Sequence, residues 1–302
     1  MTKVVVLGST NVDTILNVSR FPLPGETMAM NDRATAGGGK GANQALAAAR
    51  LGADTSFISR VGSEGAAEFM LDTFKEDGMH VDHITTSTTA GTGQAYILVE
   101  EAGQNSILIY AGANAEVGEK DILAAEDTIK DADILIAQFE VPIPAIIKAF
   151  EIATANGVKT ILNPAPGRES IPAELIKLTD IIIPNETEAQ IITGVEVTDR
   201  ASMDAAAAKL MEMGVSTVLI TVGSEGSYYN TGEKSGFVNA FKVEAKDTTA
   251  AGDTFIGAFS SQIKPDLSNI EDAMRFANKA SSLAVQKSGA QTSIPYEKDI
   301  NL

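Results

Sequence analysis

The sequence predicts an α/β protein: a doubly wound, mainly parallel central sheet flanked by helices, with a small β-sheet lid. Three observations carry this. Short runs rich in Val and Ile alternate with longer amphipathic segments over most of the chain, the pattern of βαβ units whose strands are buried on both faces. Several amphipathic segments stop at a glycine (Gly52, Gly78, Gly157, Gly214), a residue suited to the left-handed backbone that ends a helix. Two stretches break the rhythm and alternate as hairpins do.

Strands are expected at 3–7, 55–61, 133–137, 160–162, 180–183 and 217–222, and helices at 42–51, 64–77, 143–156 and 199–213. The hairpin-like stretches cover about residues 14–36 and 92–111, the second turning at Glu101-Ala102-Gly103-Gln104. Such insertions form either a flap over the ligand edge of the sheet or a plain added edge. No repeat, low-complexity tract or Pro/Ser linker divides the chain. One domain, 1–302, with a lid is therefore the expectation.

Composition narrows the function. With 44% hydrophobic and 21% charged residues the chain reads as globular. A formal charge of −17, from 40 Asp+Glu against 23 Lys+Arg, argues against general nucleic-acid binding and against docking on anionic membranes. Zero cysteines exclude disulfides, zinc-thiolate sites and a cysteine nucleophile. The start, MTKVVVLGST, is too short for a secretory signal, and no run approaches the ~18 apolar residues of a membrane span. A soluble, cytoplasmic protein is expected.

The densest chemical signal is Asp247-Thr-Thr-Ala-Ala-Gly-Asp-Thr-Phe255, leading into an apolar helical run. A helix start offers unpaired N–H groups and a positive dipole end to an anion, and Ala250, Ala251 and Gly252 are small enough to allow close approach. An ordinary helix cap is the competing explanation. Gly37-Gly38-Gly39-Lys40-Gly41-Ala42-Asn43 also precedes a helix. It is not a Walker A loop, because Gly41 stands where Ser or Thr should follow the lysine. It meets the loose GxGxxA dinucleotide pattern, but no strand is expected before it. Gly8–Asp13, Asn185–Glu188 and Thr221–Gly226 each follow an expected strand. Ligands of open parallel sheets bind beyond the carboxyl ends of strands. Several polar clusters on that edge point to a ligand site.

With these blocks in order, the chain resembles the ribokinase/phosphofructokinase-B family of sugar kinases from about Val5 to Pro295. GGGKGANQALAAARLGA and DTTAAGDTFIGAF carry most of the likeness, and NPAPGRE, PNETEA and SGAQTSIP extend it. The resemblance implies a sugar site at Asn11, Asp13, Gly39, Lys40, Asn43, Glu140 and Asp253. It implies an ATP side at Asn185, Thr221, Val222, Gly223, Ser224, Glu225, Gly226, Gly252 and Asn278. Glu188 matches an acidic position linked to magnesium through water. A potassium activator is implied at Asp247, Thr249, Ala284, Lys287, Gly289 and Ser293, largely through backbone carbonyls. Relatives pair their lids between two subunits, so a homodimer is implied.

The expected activity is transfer of phosphate from ATP to the primary hydroxyl of D-ribose. Asp253 is the base and the N–H groups of Ala250, Ala251 and Gly252 form the anion hole, with Lys40 nearby. An ordinary Asp is a weak base at neutral pH, which a loose phosphoryl-transfer transition state tolerates. Rivals are a kinase of the same family acting on fructose, 2-keto-3-deoxygluconate or a nucleoside, a non-catalytic sugar or nucleotide sensor, and an NAD-dependent oxidoreductase resting on GxGxxA alone. The extra glycine, Gly37, is expected only to loosen the lid junction. His80 and His83, the only histidines, match no catalytic position.

Overall fold

A computed structural model describes residues 1–302. The chain opens with β1 (Lys3–Leu7), leaves for β2 (Asn11–Val18) and β3 (Asp32–Gly38), and returns through helix α1 (Lys40–Arg50) to β4 (Asp54–Gly62). Helix α2 (Glu68–Glu76) leads to β5 (Ile84–Ser87). A second excursion, β6 (Gly93–Glu100) and β7 (Asn105–Tyr110), precedes α3 (Glu119–Ala124) and α4 (Glu126–Lys130). Strand–helix alternation then becomes regular through β8 (Ile134–Gln138), α5 (Ile143–Ala155), β9 (Lys159–Asn163), α6 (Ala173–Lys177), β10 (Ile181–Ile182), α7 (Glu186–Thr193), α8 (Arg200–Met213) and β11 (Thr217–Val222). The hairpin β12 (Gly226–Asn230) and β13 (Ser235–Asn239) and the helices α9 (Ala251–Gln262) and α10 (Ile270–Ala284) complete the chain.

Nine strands form one sheet in the order β13-β12-β11-β10-β9-β8-β1-β4-β5. All pairings from β11 to β5 are parallel, and only the β12–β13 edge is antiparallel. In β1, Val4 and Val6 face one core while Val5 and Leu7 face the other, as the two-residue pleat requires. Helices α1, α2, α9 and α10 cover the first face and α3 to α8 the second. The strand order reverses between β1 and β8, which opens a crevice at their carboxyl ends. The histidines lie elsewhere, His80 against Asp54 and His83 against Thr128.

Strands β3-β2-β6-β7 form a separate four-stranded sheet. Each hairpin is antiparallel, and the two join through a parallel β2–β6 pairing. This lid begins at Asn11, three residues earlier than the pattern suggested, and β3 runs to Gly38. A strand therefore does precede the glycine-rich segment, against the expectation. It belongs to the lid, so the βαβ context of a dinucleotide fingerprint is missing. No helix is long and apolar enough to cross a membrane.

Candidate active site

Helix α1 starts at the junction of lid and sheet. Its N-cap, Gly39, has φ +91°, and a Cβ there would lie 2.8 Å from the Ser9 carbonyl oxygen; only glycine fits. Gly37 also lies at this junction. Its missing side chain makes room for the Gln291 amide, 2.3 Å from where a Cβ would sit.

Asn11 and Asp13, expected just past β1, are the first and third residues of lid strand β2. The buried Asn114 fixes Asn11: its Nδ2 donates to Asn11 Oδ1 at 2.8 Å, and its own Oδ1 accepts from Thr10 N–H at 2.9 Å. Asn11 is thereby left to present its N–H₂ as a donor. Glu140 follows β8 and accepts from the Ser9 hydroxyl and, at 3.0 Å, from Lys40 N–H. It thus neutralises the positive end of α1. Asp13 is buried without a hydrogen-bond donor. Burial first, and then the Glu140 charge, push its carboxyl up to about 7. The Lys40 ammonium stands among carboxylates. Burial works to lower its pKa, but Asp253, Glu140 and Glu188 outweigh burial and raise it.

Asp253 lies in the first turn of α9 and is 8% exposed. Both oxygens are held from α1: Asn43 Nδ2 donates to Oδ2 at 3.0 Å and Gln44 Nε2 to Oδ1 at 2.9 Å. Asn43 Oδ1 is buried without a partner. The N-cap, Ala250, adopts left-handed backbone at φ +59°. The Ala251 N–H turns back to the Thr248 carbonyl at 3.2 Å. The open N–H groups are therefore those of Ala250, Gly252 and Asp253, not the continuous run 250–252. Nothing lies within 4 Å of where a Gly252 Cβ would stand, so the space beside these N–H groups is open to an anion.

Asn185 caps α7 in a reciprocal box: its Oδ1 accepts from Glu188 N–H at 2.8 Å and Glu188 Oε2 from Asn185 N–H at 3.0 Å. Glu188 keeps Oε1 unbonded. Burial raises its pKa, with Asp253 and Glu186 adding to the shift and Asn185 N–H and Lys40 opposing it. Thr221 bridges to Asn185, and Val222, Gly223, Ser224, Glu225 and Gly226 form the β11–β12 turn beside them. Lys40, Asn185, Glu188, Thr221 and Ala250–Asp253 line one cleft.

Asn278 donates both N–H bonds to the carbonyls of Val238 and Asn239 and accepts from Ser227. It ties α10 to the β12–β13 hairpin. Asp247 accepts from Thr249 N–H and Oγ1 and from Gly289 N–H. Burial acts to raise its pKa, but these donors prevail and hold the carboxyl below its usual range. Ala284 and Lys287 form the neighbouring turn, and Ser293 Oγ donates to the Ala290 carbonyl. With the Asp247 carboxylate so engaged, a cation beside this loop would rely on carbonyl oxygens.

The motifs pointed past Gln44, Gln138, Asn163 and Asn114. Gln44 had a signal, a lone amide after Asn43 in an Ala/Leu helix. Asn114 had none, because its partner is 103 positions away.

A cleft that sets a buried carboxylate beside open backbone N–H groups fits a small-molecule kinase. The chain belongs to the pfkB family of carbohydrate kinases, whose profile matches residues 1–297. It is 52% identical over 300 residues to a ribokinase of Staphylococcus aureus (strain COL), covering 99% of this chain and 98% of that one. It is 44% identical over 294 residues to a ribokinase of Haemophilus influenzae, covering 97% and 95%. Among solved structures, Arabidopsis thaliana ribokinase complexed with ribose and ATP matches with TM-score 0.91 at 34% identity, covering 99% of this chain and 97% of that one. The family overturns the dinucleotide-dependent oxidoreductase alternative.

Proposed function

We propose that this chain transfers the γ-phosphoryl group of ATP to the primary hydroxyl of D-ribose, giving ribose 5-phosphate. One observation carries the chemistry: Asp253 sits in the first turn of α9 with both oxygens held by amides and open backbone N–H groups beside it. The names of the relatives support ribose as acceptor and ATP as donor.

Asn11 donates to a sugar oxygen, while Asp13 and Glu140 accept from sugar hydroxyls, with Gly39 and Asn43 beside them. Asp253 accepts the proton of the attacking hydroxyl. The N–H groups of Ala250, Gly252 and Asp253, with Lys40, hold the negative charge of the transferring group. Asn185 and the turn from Thr221 to Gly226 flank the nucleotide. Glu188 Oε1 is free to hold magnesium through water, beside the phosphates. The carbonyls around Thr249, Ala284, Lys287, Gly289 and Ser293, steadied by Asp247, suit a large monovalent ion such as potassium. When bound, magnesium neutralises phosphate oxygens and potassium steadies the loop next to the open N–H groups.

The lid supports a homodimer. Ile107, Leu108, Ile109 and Tyr110 of β7 are all at least half exposed, and an apolar edge strand of this kind is a template for pairing. The absence of cysteine is compatible with the cytoplasm.

A coupled assay of ADP release tests the proposal across ribose, deoxyribose, fructose, 2-keto-3-deoxygluconate and a nucleoside, with ATP and magnesium. Ribose is expected to give the highest kcat/KM. Preference for another acceptor would displace it, and no turnover with any of them would favour a sensor.

A further inference from the structure

Gln44 and Gln138 have no role in the chemistry above, yet neither exposes any surface. A buried primary amide can sit either way round, and only one orientation of Gln44 presents N–H to Asp253. The surroundings fix that choice. The Asp253 carboxylate and the Asn163 side-chain carbonyl both require a donor, so Gln44 faces Asp253 with Nε2, donating to Oδ1 at 2.9 Å, while its Oε1 accepts from Gln138 Nε2 at 2.6 Å. Its second N–H goes to Asn163 Oδ1 at 3.1 Å. Asn163 is itself held as an acceptor, since its Nδ2 donates to the Ile183 carbonyl at 3.0 Å. Gln44 is fully satisfied. Gln138 is not: its Oε1 is buried with no partner. A fold concerned only with stability would fill this spot with apolar side chains, because unpartnered buried oxygens are costly.

We propose that Gln44, oriented by Gln138 and Asn163, is the positioning residue for the catalytic carboxylate. Together with Asn43 it holds one donor on each oxygen of Asp253. The carboxylate plane cannot then rotate, and the remaining lone pairs stay aimed into the cleft. The chain of bonds runs from the end of β8 through α1 to the start of α9, three separate elements. This proposal rests on the reading of Asp253 as the base.

The test is steady-state kinetics with ribose and ATP on Gln44→Met, Gln138→Met and Asp253→Asn. Methionine keeps the volume and removes the polar atoms. Gln44→Met is expected to lower kcat about 100-fold, the scale of a misplaced catalytic group, with both KM values within about twofold. Gln138→Met touches neither Asp253 nor the substrates and is expected to lower kcat about tenfold, again at constant KM. Combined with Asp253→Asn, Gln138→Met should no longer matter, because the carboxylate it orients is gone. Should Gln44→Met not fold, the Gln138→Met pair of measurements carries the test. Unchanged kcat in folded Gln138→Met, or the same loss with and without Asp253, would overturn the positioning role. Near wild-type turnover in Asp253→Asn would instead overturn the base on which it rests.

Discussion

A Cβ built on Gly257 of α9 would stand 2.5 Å from the Cβ of Ala47 on α1, and 2.7 Å from Ala48 N and Gln44 O. The two helices touch backbone to backbone at this point. That approach brings Asn43 and Gln44 of α1 within hydrogen-bond reach of Asp253 one turn earlier on α9. Gly257→Ala sets two effects against each other. Alanine favours the helix by about 1 kcal/mol, but overpacking a rigid contact costs about 1–3 kcal/mol. The contacts are to backbone atoms that cannot swing aside, so overpacking should win. Net destabilisation in urea titration is expected, together with a fall in kcat that a surface Gly→Ala change such as Gly157→Ala does not cause.

Asp253→Asn should remove most turnover, by about 10²–10⁴-fold, the usual contribution of a general base. The fold should tolerate it. The new amide would face two donors, but Asn43 can turn its unpartnered Oδ1 to accept from residue 253. Circular dichroism and ATP titration should match the parent protein while the coupled assay falls.

Asp13 makes the acceptor affinity depend on pH. Its carboxyl is pushed up to about 7 by burial and then by Glu140. On the proposed sugar contact, the ionised form would accept from hydroxyls, whereas protonation would remove acceptor capacity. KM for ribose should therefore fall as pH rises through about 7 and level off above it. Asp13→Asn should raise KM and flatten that profile. In the sugar-free protein the linkage has the opposite consequence. Between the unfolded value of 3.8 and about 7 the folded chain keeps a proton that the unfolded chain has lost. This group's contribution to stability therefore declines as pH rises through that window.

Ala250 is one of two residues other than glycine with positive φ. Left-handed backbone costs an alanine about 1–2 kcal/mol. Ala250→Gly should raise the unfolding free energy by roughly 1 kcal/mol with turnover retained. Ala250→Val should lower both, because a β-branched side chain is far worse in this conformation. Chemical denaturation and kcat for the pair measure the two outcomes.

The lid edge gives an oligomer prediction. Ile107 and Ile109 are 50% and 61% exposed on β7. Parent protein should sediment as a dimer, and Ile107→Lys with Ile109→Lys as a monomer, since charges on an edge strand block pairing. A lid left without its partner should raise KM for ribose more than KM for ATP.

Much of the fold was legible because its signals are local. Val4–Leu7 and Thr217–Val222 read as strands from runs of β-branched residues, and Gly52, Gly78, Gly157 and Gly214 mark helix ends at positive φ. The β12–β13 hairpin was missed, since Gly226–Asn230 and Ser235–Asn239 lack a strong apolar alternation. Residues 14–36 read as a hairpin, but the strand was not followed to Gly38, because Asp32–Thr35 are exposed and carry no hydrophobic pattern. In the site, the motifs marked Lys40, Asn43, Asp253 and Asn185. The partners of Asn278, Ser227 and the Val238 and Asn239 carbonyls, lie about 40–50 positions away and left no local signal.

The sequence by itself determined the alternation of strands and helices, the family, and which small and acidic residues stand at the ends of strands. These follow from periodicity, turn chemistry and spacing, all properties of neighbouring residues. Only the tertiary structure decided which N–H groups remain open at the start of α9, that burial and then Glu140 lift Asp13, and that Asn163 and Gln138 hold Gln44 toward Asp253. Hydrogen bonds and charge interactions depend on ångström distances between residues as much as 210 positions apart, and those distances exist only once the two cores have packed.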